Sequence, residues 1–188
     1  MTSNQYFLRI FILFLFSTIV SNAQIGEGHR FCDELKTGSY FPLSYEFKKK
    51  ILWSKTYYWE TKIGTKQIEG KEYAEIKQEW EDKNTSILYM REEDGVVYQY
   101  DQYIKKEIIR FDQKQKKGDA WTTANKAKYK IISYEGELQT PYCKYTNLLV
   151  IEAEVSYGKF NFYYLKGQGY IGATTKGMLI SCLTPEWN

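Results

Sequence analysis

Histidine is almost missing: among 188 residues the chain has one, His29. A Ser-His-acid triad and a Cys-His dyad both rest on an imidazole base. His29 sits in QIGEGHR, a short stretch with no periodicity that would fix it in a site. Triad or dyad hydrolysis is therefore not expected, nor is a histidine-built zinc centre. Cysteine is nearly as scarce. Cys32, Cys143 and Cys182 are scattered, with no C-x-x-C spacing for a dithiol redox site. Neither sign of charge is in excess: 26 Lys and Arg face 23 Asp and Glu, interspersed along the chain. The nearest basic block, Lys114-Gln115-Lys116-Lys117, runs straight into Gly118-Asp119 and reads as a solvated turn. A nucleic-acid footprint needs a clustered basic face, so no nucleic-acid partner is expected. No cofactor is expected either.

Long apolar runs are lacking after the first two dozen residues. The one such block, IFILFLFSTIV (Ile10 to Val20), follows a stretch whose sole charge is Arg9 and precedes Ser21-Asn22-Ala23. A basic start, a short apolar centre and a small-x-small end make a secretory signal peptide. The block is roughly half the length that a membrane span needs. Residues 1–23 are expected to be a cleaved signal peptide, 24–39 an N-terminal segment and 40–188 a single all-β domain. No transmembrane span is expected after cleavage. The chain reads as exported, to the periplasm or the exterior.

Export favours oxidised cysteines, and three allow one bridge with one thiol left over. Cys32 and Cys182 lie near the two ends of the mature chain, and the ends of a compact domain are often close. Cys32–Cys182 is the preferred pairing. Cys143, after Pro141 in an expected turn, is left either free or as a replacement for one of the two.

What the chain has in quantity is rings: 18 Tyr, 10 Phe and 5 Trp, against only 3 Pro. Such residues favour strands, and alternation recurs along the sequence. In EYAEIKQEW, Ala74, Ile76, Gln78 and Trp80 share one face and the charged residues the other. In KILWSKTYYWETKI, Ile51, Trp53, Tyr57, Trp59 and Ile63 fall together when the run is read as one strand. In NLLVIEAEV, Leu149, Ile151, Ala153 and Val155 oppose Glu152 and Glu154. Gly-, Asn- and Asp-containing turns separate the runs at hairpin spacing. The expected strands are 50–63, 66–69, 72–81, 85–92, 96–101, 104–111, 127–135, 145–157, 159–166, 169–174 and 178–183, with a short helix over 43–50. The fold class is all-β, an antiparallel meander forming a curved sheet, half-barrel or incomplete barrel; a two-sheet sandwich is the alternative.

GQGYIG (Gly167 to Gly172) matches the G-x-G-x-x-G of dinucleotide-binding turns. That motif works through a helix whose N-terminus follows the glycines. Here ATTKGMLISCL follows, which reads as strand, turn, strand, so a hairpin corner is expected instead. Glycosidase chemistry needs two acids facing each other. Glu75 and Glu79, or Glu152 and Glu154, are the candidates, but each sits on a charged strand face beside lysines.

Several stretches recur in a familiar order: Tyr40-Phe41-Pro42-Leu43, the hairpin REEDGVVYQYD (Arg91 to Asp101), Lys117-Gly118-Asp119-Ala120-Trp121, and Tyr163-Tyr164-Leu165-Lys166-Gly167-Gln168-Gly169. This order resembles a broad group of uncharacterised secreted bacterial β-proteins. Their domains start with FPL-x-x-G-x-x-W-x-Y and end with a YYxKGxGxI strand pair. Here the first motif departs, since FPLSYEFKKKILW lacks the Gly and spaces Trp53 further away. The resemblance implies a half-barrel-like envelope protein, in some members shielding lipid acyl chains, and transfers no catalytic residue.

The leading expectation is a non-catalytic, exported cell-envelope protein that binds an apolar or lipid-like small molecule, or an envelope protein, through a concave aromatic face. Trp53, Tyr57, Trp59, Trp80, Tyr98, Tyr100 and Tyr164 are the candidate binding residues. Alternatives are an inhibitor- or immunity-type protein acting through a sheet face or edge, and a carboxylate hydrolase.

Overall fold

The computed structural model describes residues 32, 38–44 and 46–187. The expected signal peptide, and most of the expected N-terminal segment, lie outside the described residues. Every regular element described is a strand. In chain order these are β1 (Lys48–Trp53), β2 (Thr56–Ile68), β3 (Lys71–Trp80), β4 (Thr85–Glu93), β5 (Val96–Asp101), β6 (Lys106–Asp112), β7 (Ala120–Thr122), β8 (Lys128–Gln139), β9 (Lys144–Val155), β10 (Gly158–Leu165), β11 (Gly169–Thr175) and β12 (Met178–Trp187).

They form one antiparallel sheet in the order β6-β5-β4-β3-β2-β1-β12-β11-β10-β9-β8-β7. The expected all-β meander is what the chain adopts. It is two six-stranded meanders placed back to back. Their joint is the pair β1–β12, where Ile51 sits opposite Leu183, Leu52 opposite Cys182 and Trp53 opposite Ser181. The two edges, β6 and β7, are consecutive in the chain. No backbone ladder joins them, so the barrel is incomplete. Side chains bridge the opening instead. Trp121 Nε1 on β7 donates to the Ile109 carbonyl on β6 at 3.0 Å. Arg110 on β6 donates to the Tyr129 hydroxyl on β8 at 3.1 Å, and Asn125 donates to Asp101 at 3.1 Å.

Several local expectations need correction. The run 50–63 is two strands, because the chain reverses at Ser54-Lys55, with Ser54 at φ +54°. Among the described residues no helix appears over 43–50; β1 begins at Lys48. The expected strand 66–69 is not separate but the end of β2, and the three-residue β7 was not among those expected. In β2 a bulge between Lys62 and Gly64 leaves Ile63 half exposed.

Buried residues gather in two clusters. One joins both meanders on the inner face: Ile76, Met90, Val97 and Phe111 from the first, and Tyr129, Ile131, Leu149, Ile151 and Tyr164 from the second. Phe41, ahead of β1, is set into it, with its ring 4.6 Å from Tyr164 and 5.8 Å from Phe111. The other cluster joins Leu138, Cys143, Tyr145 and Leu148 of the β8–β9 hairpin to Ile51, Leu165, Ile171 and Leu183.

GQGYIG is a hairpin corner. Gly167 and Gly169 take φ of +74° and +84° around the β10–β11 turn. The segment before β1 lies on that turn: Gly167 N donates to the Ser39 carbonyl at 2.8 Å. A Cβ on Gly169 would stand 3.0 Å from Pro42. The FPL stretch and the KGQG stretch are therefore packing partners. No helix follows the glycines.

The disulfide is Cys32–Cys143, and Cys182 is a free, buried thiol. The preferred Cys32–Cys182 pairing is thus overturned. Cys182 lies mid-strand between Leu52 of β1 and Gly172 of β11, where neighbours cover it. Cys143 sits at the β8–β9 turn, where an incoming segment can reach it.

Candidate functional site

The inner face of the incomplete barrel holds a cavity of about 340 Å³. Its position follows from strand parity. Phe47, just ahead of β1, and the odd residues Lys49 and Trp53 of β1 reach the cavity, and the two-residue turn after Trp53 sets Ile51 opposite Tyr58. That pairing turns the even residues of β2 inward, so Tyr58 and Glu60 reach the cavity. The even residues Ile76, Gln78 and Trp80 of β3 follow, then Leu88 and Met90 of β4. Phe162 and Tyr164 of β10 and Tyr170 of β11 supply the opposite wall.

Three of the expected binding residues, Trp53, Trp80 and Tyr164, line this cavity. Tyr57 and Trp59 do not. They line a separate groove of about 320 Å³ with Lys48, Lys77 and Glu79, and Trp80 borders both hollows. Lys48 sits over the Trp59 ring at 4.7 Å and Lys50 over Tyr57 at the same distance. Tyr98 and Tyr100 are also elsewhere. Arg91 stacks on Tyr98 at 4.2 Å, and Tyr100 meets Tyr73 edge to face at 6.0 Å. The seven expected residues thus divide among three places. The split of Tyr57 and Trp59 from Trp53 follows directly from the turn at Ser54-Lys55.

Sequence reasoning missed Lys49, Glu60, Arg110 and Phe41, and it left Tyr58 and Tyr170 out of the candidate binding residues. Arg110 gave no alternation signal because it stands at a bulge. Val97 pairs with Phe111 and Tyr98 with Ile109, which leaves Arg110 without an opposite residue. A bulge re-aims a side chain, and here the guanidinium turns into the cavity wall while Ile109 stays exposed.

Three ionisable side chains of opposite sign line the cavity: Lys49, Glu60 and Arg110. Lys49 is 2% exposed. Its Nζ donates to the Gln168 carbonyl at 2.5 Å and lies 4.6 Å from the Phe47 ring. Burial pulls its ammonium down to about 8, against an opposing pull from Glu60. Lys49 and Glu60 are directly opposite across the β1–β2 ladder, yet they form no ion pair. Glu60 instead accepts from Gln78 Nε2 at 2.9 Å. Burial pushes the phenols of Tyr58 and Tyr170 well up. It also raises Tyr164, with the Arg110 guanidinium acting in the opposite direction. The Tyr170 hydroxyl is buried beside Ser181 without a well-formed hydrogen bond.

Three of the four acids considered for hydrolysis are salt-bridged on strand faces. Glu79 meets Lys77 at 2.6 Å, Glu154 meets Lys128 at 3.2 Å, and Glu152 meets Lys159 at 3.1 Å. Glu75 accepts a long contact from Tyr89 at 3.4 Å. Among the described residues, no group of three or more His, Cys, Asp or Glu is placed to hold a metal ion.

The arrangement can enclose a small molecule with an apolar body. It offers rings on several sides and a few fixed polar groups. Comparison with protein-family models, with curated proteins and with solved structures found no match to this chain.

Proposed function

We propose that the chain is a non-catalytic binding protein of the cell envelope whose half-barrel interior takes an apolar or lipid-like small molecule. One observation carries the reading: the cavity of about 340 Å³ walled by Trp53, Tyr58, Trp80, Leu88, Phe162 and Tyr164. Small-molecule sites occupy about 300–1,000 Å³, and are mostly apolar with a few placed polar groups. The lining matches that description. The Cys32–Cys143 bridge supports the exported compartment, since disulfides persist where the surroundings are oxidising.

The test is to fill the cavity. Leu88 is partly exposed in the wall, so Leu88→Trp adds bulk without opening the core. Binding of dodecanol, followed by fluorescence of Trp53 and Trp80, is expected in the native chain. In Leu88→Trp it should weaken at least tenfold while the melting temperature shifts by only a few degrees. Undiminished binding in the variant would place the ligand elsewhere and end the proposal.

A further inference from the structure

The cavity contains a charge that the protein itself does not answer. The structure describes two arginines in full, and they are treated oppositely. Arg91 is clamped by carboxylates, with Nη1 2.7 Å from Glu93 and Nε 2.5 Å from Glu107. Arg110, in the cavity wall, has no carboxylate within ion-pair distance among the described residues. Its hydrogen-bond partners are neutral hydroxyls, that of Tyr129 at 3.1 Å and that of Tyr164 beside it. A guanidinium has five N–H donors in a rigid fork, so most of its donor capacity remains. Removing a charge from water without a counter-ion is costly, and a bulge has turned this one inward where an outward strand position lay next to it.

The remaining charges in the wall sharpen the point. Lys49 and Glu60 face each other across one ladder and offset each other in the sum. Arg110 is the surplus. The cavity wall therefore carries one net positive charge when Lys49 is protonated, set among rings that suit an apolar chain.

We infer that the ligand is an amphiphile with a single carboxylate head, that Arg110 receives the head, and that the aromatic walls hold the tail. The inference rests on the binding function proposed above and names its ligand class. A planar carboxylate fits the guanidinium fork bidentately and carries the single negative charge that the surplus calls for, whereas a phosphate dianion, which the fork also fits, would leave one charge unanswered and a neutral hydroxyl would answer none. The Tyr164 phenol lies beside the same guanidinium and offers a further donor. The head would sit near the side-chain-bridged opening between β6 and β7, because Arg110 belongs to β6 and its partner Tyr129 to β8.

The experiment compares dodecanoate with dodecanol, which share a tail and differ in the head. Binding is measured on the native chain and on Arg110→Met at neutral pH, by tryptophan fluorescence and calorimetry. The native chain should prefer dodecanoate at least tenfold, as expected of a charge-assisted pair in a partly buried site. Arg110→Met should lose that preference and keep its affinity for dodecanol. Equal binding of the two ligands by the native chain overturns the carboxylate inference and leaves the cavity function standing. A preference that survives in Arg110→Met also overturns it. Binding of neither ligand overturns both. If circular dichroism shows Arg110→Met unfolded, Arg110→Lys replaces it. A preference reduced severalfold then supports the fork, and an unchanged one overturns it.

Discussion

Between β1 and β12 the sheet is joined through its main chain; between β6 and β7 it is bridged only by side chains. At the first joint, Ile51 and Leu183 are wholly buried opposite each other, and Ser181 and Thr184 beside them are also buried. At the second, Trp121, Arg110 and Asn125 each reach across to a single acceptor, and Ile109 remains exposed. Unpaired strand edges carry free N–H and C=O groups. The covering of β6 and β7 by the rings of Trp121 and Tyr129, stacked at 5.3 Å, is the protein's answer to that liability. The difference teaches where each property resides. Cohesion of the two meanders depends on the first joint, and freedom to admit something depends on the second.

The sharpest way to break the contrast is at the first joint. Leu183→Ala removes a side chain of 0% exposure and should cost about 2–5 kcal/mol, as large-to-small core changes do. Denaturant unfolding measures it. A loss no larger than at the β6–β7 opening would erase the distinction.

Next in size is the buried amine on β1. Lys49 holds its proton less well folded, at about 8, than at its ordinary value of 10.5. Between those values the unfolded chain binds more protons, so stability rises with pH across that window; below it the burden is constant. From about pH 8 to about pH 9 the gain should be on the order of 1 kcal/mol. The window ends there because Cys182, whose thiol burial raises, acts in the opposite direction above it. Unfolding curves of the native chain and of Lys49→Met decide the matter: the variant should lack this rise.

The smallest effect is expected at the opening itself. Trp121→Phe keeps a ring against Tyr129 but deletes the donor to Ile109. It should cost about 0.5–1.5 kcal/mol, with faster amide exchange confined to β6 and β7. Equal loosening of β1 and β12 would show that the two joints move together.

Much of the fold was legible because alternation is a direct record of burial. EYAEIKQEW gave the inner face of β3 correctly, with Ile76 and Trp80 in the cavity wall. NLLVIEAEV gave Leu149, Ile151 and Ala153 of the inner cluster. The candidate site was less legible, for three physical reasons. The turn at Ser54-Lys55 has no Gly, Asn or Asp to announce it, so the alternation suggests one strand where two exist and groups Tyr57 and Trp59 with Trp53. The bulge at Arg110 breaks period two where the cavity's unanswered charge enters the wall. KFNFYYLK shows rings on both faces, and only packing decides that Tyr164 looks inward while Tyr163 bonds to Thr174 at 3.2 Å. The disulfide failed for a related reason: proximity of chain ends says nothing about which thiol is covered by a neighbouring strand.

The order of strands also has a consequence in time. Of the eleven ladders, ten join strands that follow one another in the chain; β1 alone waits for a partner at the far end, β12. Ladders between neighbours can zip as soon as both strands exist, whereas a distant pairing closes late. While a chain grows from its N-terminus, β1 therefore presents one bare edge until β12 arrives. That strand begins Lys48-Lys49-Lys50, and lysines on an edge discourage it from capturing a strand of another molecule. The same three residues that sit quietly around the finished joint would act earlier as chaperones of an unfinished one.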